Sequence, residues 1–257
     1  MVKLTLKQFR VLFLLSILVY VITDQATAQY YARSWKNTLY VVIYPINGDG
    51  TQTSQQIIDT LTEKKFAPLE QFIAQQAQQY KIQLHLPIKI KLASQVGKPP
   101  PLPKINAGIF SAILWSLKMR WWAWYENTYP NRKDIRLFIE YYANETPDSH
   151  ISVGLAKGMI ALIKNYANKD LMQRNNIIIV HEMLHTLGAT DKYNPLTLQP
   201  YYPQGYANPS LQPEQKQQKC EIMGGRIPYS ANFAVIPNSL KQCLIGPMTA
   251  KEIGWIK

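Results

Sequence analysis

The stretch that decides how this chain folds is Ile177-Ile-Ile-Val-His181-Glu182-Met-Leu-His185-Thr-Leu-Gly188-Ala-Thr-Asp191, which holds two of the four histidines. Side chains at positions i and i+4 lie on one face of a helix, so His181 and His185 can bind one zinc ion. Gly188 can end the helix in a left-handed conformation, after which the chain can bring Asp191 back to the same ion. Three protein ligands and an open fourth position are typical of a catalytic zinc site.

Glu182 directly follows the first histidine, where its carboxylate can take a proton from a water at the open zinc position. The alternative is an ordinary amphipathic helix with solvated histidines, but Gly188 and Asp191 at the two later positions favour the metal site. Ile177-Ile-Ile-Val180 alone has strand propensity. Its apolar residues continue at helical spacing, and Asn175 or Asn176 is suited to cap the N-terminus, so we expect a helix buried on most sides.

Together with Cys220-Glu-Ile-Met223-Gly-Gly225, this stretch resembles the extended zinc motif and the methionine turn of the metzincin metallopeptidases. The resemblance covers residues 175–191 and 220–225, and the preceding strands agree with the family in type only. It implies an α/β (α+β) fold, with a twisted, mostly parallel sheet, backing helices and an active-site helix. Residues 36–188 would form an upper subdomain, and residues 189–257 a small lower subdomain with Met223 in the turn beneath the metal.

The sequence departs from the commonest family pattern at two positions. The usual third ligand is histidine, whereas Asp191 stands in its place here, as in the snapalysin-like bacterial members. A carboxylate oxygen is an accepted zinc ligand, so the chemistry is compatible with this change. Some metzincins carry a tyrosine two residues after the turn methionine, but Gly225 stands there in this chain. Tyr193 or Tyr229 is then the candidate to stabilise an oxyanion or to contact the substrate.

The expected function is that of a zinc metalloendopeptidase with one Zn²⁺ on His181, His185 and Asp191, acting on peptide or protein substrates. Glu182 would activate the attacking water and later protonate the leaving amine. Two alternatives remain open at this point. One is a zinc amidohydrolase acting on cell-wall peptides, and the other is a non-catalytic, zinc-containing binding protein of the cell envelope. The glutamate argues against the second, since a structural zinc site needs no base.

The N-terminus predicts export from the cytoplasm. Three basic residues precede or flank an apolar run at residues 11–22, and Ala26-Thr-Ala28 has the small-x-small pattern of a signal peptidase site. Residues 1–28 are therefore a signal peptide, or alternatively an N-terminal membrane anchor formed by residues 11–22. Both interpretations place the metallopeptidase domain, residues 36–257, in the periplasm or outside the cell.

The two cysteines, Cys220 and Cys243, form an even pair in a chain that we expect to be exported to an oxidising compartment. A disulfide between them would stabilise the fold by roughly 3 kcal/mol. The alternative is a pair of buried free thiols.

Composition indicates a globular protein, with 47% apolar and 17% charged residues. The net charge of +12 would favour anionic surfaces such as lipid headgroups, but a solvated basic exterior is the simpler explanation. No DNA- or RNA-binding motif is present, so we expect no nucleic-acid partner.

Apolar patterning predicts the elements around the motif. The expected strands are 39–44, 87–92, 134–142, 150–155 and 159–163, and the expected helices are 53–80 and 105–125. Pro45 should end the first strand, and Pro68 should kink or divide the first helix.

The second helix carries four tryptophans, which we expect to pack against the sheet, with docking on a membrane or a glycan as the alternative. Residues 192–219 should run over the surface without packed structure, and His85 and His150 should be plain surface residues.

Overall fold

A computed structural model describes residues 5–102, 108–143, 153–155 and 158–256 of the 257-residue chain. His150 lies outside these residues, whereas His85 is exposed as expected. The helices are α1 (Leu6–Arg33), α2 (Gln52–Asp59), α3 (Ala67–Gln79), α4 (Ile109–Tyr125), α5 (Met172–Thr186) and α6 (Pro247–Glu252). The strands are β1 (Leu39–Asn47), β2 (Ile88–Leu92), β3 (Ile135–Tyr142), β4 (Val153–Leu155), β5 (Ile160–Tyr166), β6 (Cys220–Glu221), β7 (Ile227–Ser230), β8 (Phe233–Val235) and β9 (Cys243–Leu244).

The first five strands form one sheet in the order β2-β1-β3-β5-β4. Strands β2, β1, β3 and β5 are parallel, and β4 pairs antiparallel with β5 at the edge. The mixed α/β class and the mostly parallel sheet are thereby confirmed. Parallel strands are covered by helices on both faces, which explains why β1 is a nearly continuous apolar run with Val41 to Tyr44 fully buried.

Each face of the sheet has its own apolar core. One face packs against α2, α3, α5 and the C-terminal segment, through side chains that include Val41, Ile43 and Leu137. The other face packs against α4, where Val42, Tyr44 and Phe138 meet Met119, Trp122 and Ala123, with Trp115 partly buried beside them. The packing expected of the tryptophans is correct for Trp122 and Trp115. It is wrong for Trp121 and Trp124, which are 65% and 70% exposed, because they lie on the opposite side of the helix.

Both predicted proline breaks differ from the structure. Strand β1 continues through Pro45. Proline has no amide hydrogen to donate, but its carbonyl oxygen still accepts a hydrogen bond from the Val96 amide at 2.9 Å. The helix expected at 53–80 is divided at residues 60–62, before the proline. Pro68 lies in the first turn of α3, where a missing amide hydrogen costs nothing because no helical partner exists for it.

Helix α1 includes the apolar run 11–22, and its last turn packs on the domain through Ala32. The Trp35 indole nitrogen then donates to the carbonyl oxygen of Ile253 at 2.7 Å. Among the described residues, no helix has both the length and the apolar character needed to cross a membrane.

Residues 189–256 contain a parallel β6-β9 pair, an antiparallel β7-β8 hairpin and α6. Ile222, Met223 and Ile253 belong to the same core cluster as Val180 of α5. The expectation that residues 192–219 lack packed structure is wrong in part, since Lys192, Tyr206 and Gln217 are buried. The backbone of Gly205 also packs closely on Gly224, so that a Cβ atom added to Gly224 would collide with the Gly205 carbonyl oxygen. Backbone contacts of this kind leave no apolar pattern in the sequence.

Candidate metal centre

Helix α5 carries both histidines and the glutamate. Residues 177–180 are helical as predicted, and three of their four side chains are buried, as expected for a helix buried on most sides. The expected cap is wrong: Asn175 lies inside the helix, where its buried amide donates to the Tyr166 carbonyl at 2.8 Å and accepts from the Tyr166 amide at 3.2 Å. It thereby attaches α5 to the end of β5, and Asn168 instead caps the short 3-10 turn that precedes the helix.

Gly188 ends α5 as predicted, with a φ of +99° that L side chains rarely adopt. The Gly188 and Ala189 amides donate to the carbonyls of His185 and Leu184 at 3.0 and 3.1 Å, which closes the last turn. The chain then reverses and brings Asp191 back over the histidine face of the helix. The carbonyl oxygen of Ala189 lies 2.8 Å from His185 Nδ1, so the same reversal also orients the second histidine.

Three ligand-type atoms converge at this point. The Nε2 atoms of His181 and His185 are 3.1 Å apart, and Asp191 Oδ1 lies 3.1 Å from each. Tetrahedral zinc with ligands at about 2.0 Å needs its ligand atoms roughly 3.3 Å apart, close to this spacing. The residues therefore fit a zinc ion in distance and in donor type.

The outer ring nitrogens support the same conclusion. His181 Nδ1 lies 3.0 Å from the carbonyl oxygen of Ile222, and His185 Nδ1 has its partner at Ala189. A carbonyl only accepts, so each Nδ1 carries a proton and donates it, which leaves each Nε2 facing the convergent point as the ring nitrogen available to a metal. Metal-binding histidines have this arrangement in proteins, since the outer hydrogen bond fixes both tautomer and ring orientation.

Glu182 is 7% exposed, and its carboxylate lies within 4.8 Å of the histidine ligand atoms. By position alone, either Glu182 or Asp191 could complete the ligand set. We assign the third ligand to Asp191, because its Oδ1 is 3.1 Å from both Nε2 atoms. Glu182 then remains beside the candidate metal position as a buried carboxylate, which suits a base.

The electrostatics of the cluster favour a cation. Burial lowers the pKa of His181, but the hydrogen bond with Asp191 and the charge of Glu182 outweigh burial, so the pKa is raised overall. Burial raises the pKa of Asp191, and its hydrogen bonds to the two histidines outweigh that effect and hold the pKa well below its usual range. A negative field that stabilises an imidazolium also stabilises a divalent ion.

The methionine turn lies against the first histidine. Met223 is fully buried in a 3-10 turn at Ile222–Gly224, and the Ile222 carbonyl is the partner of His181 Nδ1. Beneath it, the fully buried Glu221 accepts hydrogen bonds from the amides of Gly224 and Gly246 and from Thr249 Oγ1, at 2.9, 3.1 and 2.7 Å. Burial raises the pKa of Glu221. Sequence reasoning missed this residue, although a carboxylate between Cys220 and Ile222 in an apolar stretch was a signal.

A second contact that the sequence did not show holds the loop around Asp191. Glu252 of α6 accepts hydrogen bonds from Lys192 Nζ and from Thr190 Oγ1, both at 2.7 Å. Lys192 is only 4% exposed, so this is a largely buried ion pair. The residues on both sides of Asp191 are thereby fixed to the C-terminal helix.

The two tyrosine candidates have different surroundings. The ring centroid of Tyr193 is 6.3 Å from that of His181. Burial, followed by the charges of Asp191 and Glu182, raises the pKa of Tyr193 to about 12, so the phenol keeps its proton. Tyr229 lies on β7, where its ring contacts Phe233 of β8 and the Lys216 side chain from the preceding loop. Tyr193 is the tyrosine that the structure brings beside the ligands.

Cys220 and Cys243 are direct neighbours on the paired strands β6 and β9. Both are buried free thiols in this structure, with their sulfur atoms 2.8 Å apart. The expected proximity is present, and the disulfide itself stays a prediction. Strand β6 leads directly into the methionine turn, so this pair lies next to the metal centre in the chain.

A comparison with protein-family models finds no match to this chain, and a comparison with curated proteins finds no matching sequence.

Proposed function

We propose that this protein is an extracytoplasmic, zinc-dependent metallopeptidase of the metzincin type, which hydrolyses peptide bonds in peptides or proteins. The observation that carries the proposal is the convergence of His181 Nε2, His185 Nε2 and Asp191 Oδ1 at 3.1 Å from one another, beside the buried Glu182. The extracytoplasmic location is supported by the basic and apolar N-terminus and by the signal peptidase pattern.

When bound by these three residues, zinc supplies a Lewis acid for the scissile carbonyl and lowers the pKa of water. Glu182 takes the proton of the attacking water and returns it to the leaving amine. Tyr193 keeps its proton at neutral pH and is available to donate a hydrogen bond to the developing oxyanion. The two histidine rings need no reorientation, since backbone carbonyls already hold them.

Two features favour catalysis over a purely structural zinc. Structural sites use four protein ligands, whereas this cluster supplies three and leaves one side open. Glu182 is a buried carboxylate beside the ligand atoms, and its burial has a cost in free energy that a site with no need of a base would not require. The parallel sheet in front of α5, with an antiparallel strand at its edge, and the methionine turn beneath His181 support the assignment to the metzincin type.

The test is zinc content and cleavage of a peptide library by the purified full chain and by Glu182→Gln. The variant keeps about one zinc per chain and loses turnover by about 100- to 10,000-fold, because the base is gone and the ligands remain. Glu214→Gln, at an exposed position, is the matched control and should behave as wild type. Near-normal turnover of Glu182→Gln, or a wild-type chain that binds no zinc, would contradict the proposal. Cleavage of muropeptides alone would identify the enzyme as a cell-wall amidohydrolase.

A further inference from the structure

Helix α4 is apolar on two opposite faces. One face forms the second core with the sheet, and the other is exposed to solvent. The exposed face, here called the outer face of α4, consists of large apolar and aromatic side chains that are 46% to 86% exposed: Phe110, Ile113, Leu114, Leu117, Trp121, Trp124 and Tyr125. A helix that is apolar all round is normally buried all round, so within the described part of the chain the outer face lacks the partner that its composition requires.

The outer face has the geometry of a helix that lies in a membrane interface. At about 100° per residue, its seven positions fall within an arc of about 120°. Lys118 and Arg120 fall on the two sides of this arc, and the helix contains no acidic residue. Basic residues that flank an apolar stripe are typical of helices that lie flat on anionic lipid. Trp121, Trp124 and Tyr125 cluster at one end, and aromatic rings of this kind favour the headgroup region.

The charge at the aromatic end is also suited to an anionic surface. The first carboxylate after the helix, Glu126, is paired with Lys98 at 3.6 Å. The Lys98 Nζ also lies 4.4 Å from the ring centroid of Tyr125, so a cation is placed on the aromatic cluster itself. The whole chain carries a net charge of +12, which attracts it to anionic headgroups over longer distances.

We propose that the outer face of α4 binds the surface of a lipid bilayer that contains anionic lipids. The helix lies parallel to the surface, its apolar stripe is inserted at the headgroup boundary, and the exposed Lys118 contacts the headgroups. A second copy of the chain fits less well. It would have to present an apolar groove between acidic groups, whereas the chain has only 16 acidic residues against 28 basic ones. This proposal does not depend on the metallopeptidase activity.

The first test measures partition of the full chain onto vesicles of phosphatidylcholine mixed with phosphatidylglycerol. Trp121→Ser/Trp124→Ser removes two exposed rings from the outer face and should weaken partition by about tenfold or more, given the apolar area withdrawn from the interface. Leu196→Ser/Phe233→Ser removes two exposed apolar side chains elsewhere, which are 92% and 57% exposed, and should bind as wild type. Thermal unfolding checks that both variants are folded.

A charge-reversal pair tests the headgroup contact. Lys118→Glu and Lys64→Glu each lower the net charge by two at an exposed position, but only Lys118 borders the outer face. Lys118→Glu should weaken binding to the anionic vesicles several-fold more than Lys64→Glu, and the difference should vanish on vesicles of phosphatidylcholine alone. Equal effects of the two variants would contradict headgroup contact at α4.

A position-specific readout is needed because α1 also exposes apolar side chains, such as Phe9 and Phe13. Brominated phospholipid should quench the tryptophan fluorescence of the bound wild type. Trp121→Phe/Trp124→Phe should still bind but lose most of this quenching. The proposal is overturned if quenching is the same in both proteins, or if Trp121→Ser/Trp124→Ser partitions like wild type. It is also overturned if sedimentation shows a dimer that Trp121→Ser/Trp124→Ser abolishes while the wild type shows no quenching.

Discussion

At the scale of single residues, the central question is which carboxylate completes the metal ligand set. Glu182 is adjacent to His181 in the helix, and Asp191 is brought back by the turn after Gly188. The spacing of residues along the chain suits both carboxylates. The 3.1 Å distances from Asp191 Oδ1 to both Nε2 atoms are the reason to propose Asp191 as the third ligand.

Asp191→Ala should therefore lower zinc affinity by at least about 100-fold, because it removes one of three ligands and the negative charge that attracts the ion. Competition with a chelator at fixed pH measures the affinity. Asp170→Ala, at an exposed position on the turn before α5, is the matched control. If Asp191→Ala binds zinc normally while Glu182→Gln does not, the roles that we assign to the two carboxylates are reversed.

At the scale of elements, the end of α5 determines where the third ligand lies. The helix stops because Gly188 adopts φ +99°, and the next residues donate into the last turn of the helix. This turn places the Ala189 carbonyl against His185 and directs residue 191 to the metal side. The turn that ends the helix is therefore also the turn that brings Asp191 to the two histidines.

Gly188→Ala should destabilise the protein by about 1–3 kcal/mol, because an L side chain is strained at this φ. In a chain of this size, the melting temperature should fall by about 2–12 °C. The added Cβ would also lie 3.2 Å from Gln29 Nε2, although that flexible end can move away. Gly97→Ala is the control, since Gly97 has no atom within 4 Å of the added Cβ and no positive φ. Equal melting temperatures of the two variants would show that the turn is not strained.

At the scale of the whole molecule, the C-terminal segment is attached to the domain by contacts between distant parts of the chain. Tyr80 Oη donates to the Ile245 carbonyl at 2.7 Å, and the Ile245 amide donates to Gln76 Oε1 at 2.8 Å. Glu252 then holds Thr190 and Lys192 on either side of the third ligand. The metal centre consequently depends on residues from α5, from the methionine turn and from the last helix.

Glu252→Gln should lower the free energy of unfolding at neutral pH by about 1–3 kcal/mol, since the nearly buried Lys192 loses its charged partner. Burial raises the pKa of Glu252, but hydrogen bonds from Lys192 and Thr190 outweigh burial, so the folded-state pKa lies below the ordinary value of 4.5. The stabilisation is therefore present above that value and is lost as the pH falls through the folded-state pKa.

Urea unfolding of both proteins should show the difference at neutral pH and its disappearance in acid. Glu214→Gln again serves as the exposed control. A difference that persists undiminished at acidic pH would show that the carboxylate charge of Glu252 is not what stabilises the loop.

Features that depend on neighbours along the chain could be predicted from the sequence alone. These are the helical spacing of His181 and His185, the helix stop at Gly188, the apolar runs of the strands and the apolar stripe of the first predicted helix. Each depends on interactions within a few residues, so a pattern in one stretch is sufficient to predict it.

Contacts between residues that are distant in the sequence could be seen only in the tertiary structure. The Ile222 carbonyl reaches His181 across 41 positions, and Glu252 reaches Thr190 across 62. The exposure of Trp121 and Trp124, the choice of Tyr193 over Tyr229 and the burial of Glu221 belong to the same category. None of these leaves a local pattern, because a side chain's burial and partners depend on which distant surface packs against it.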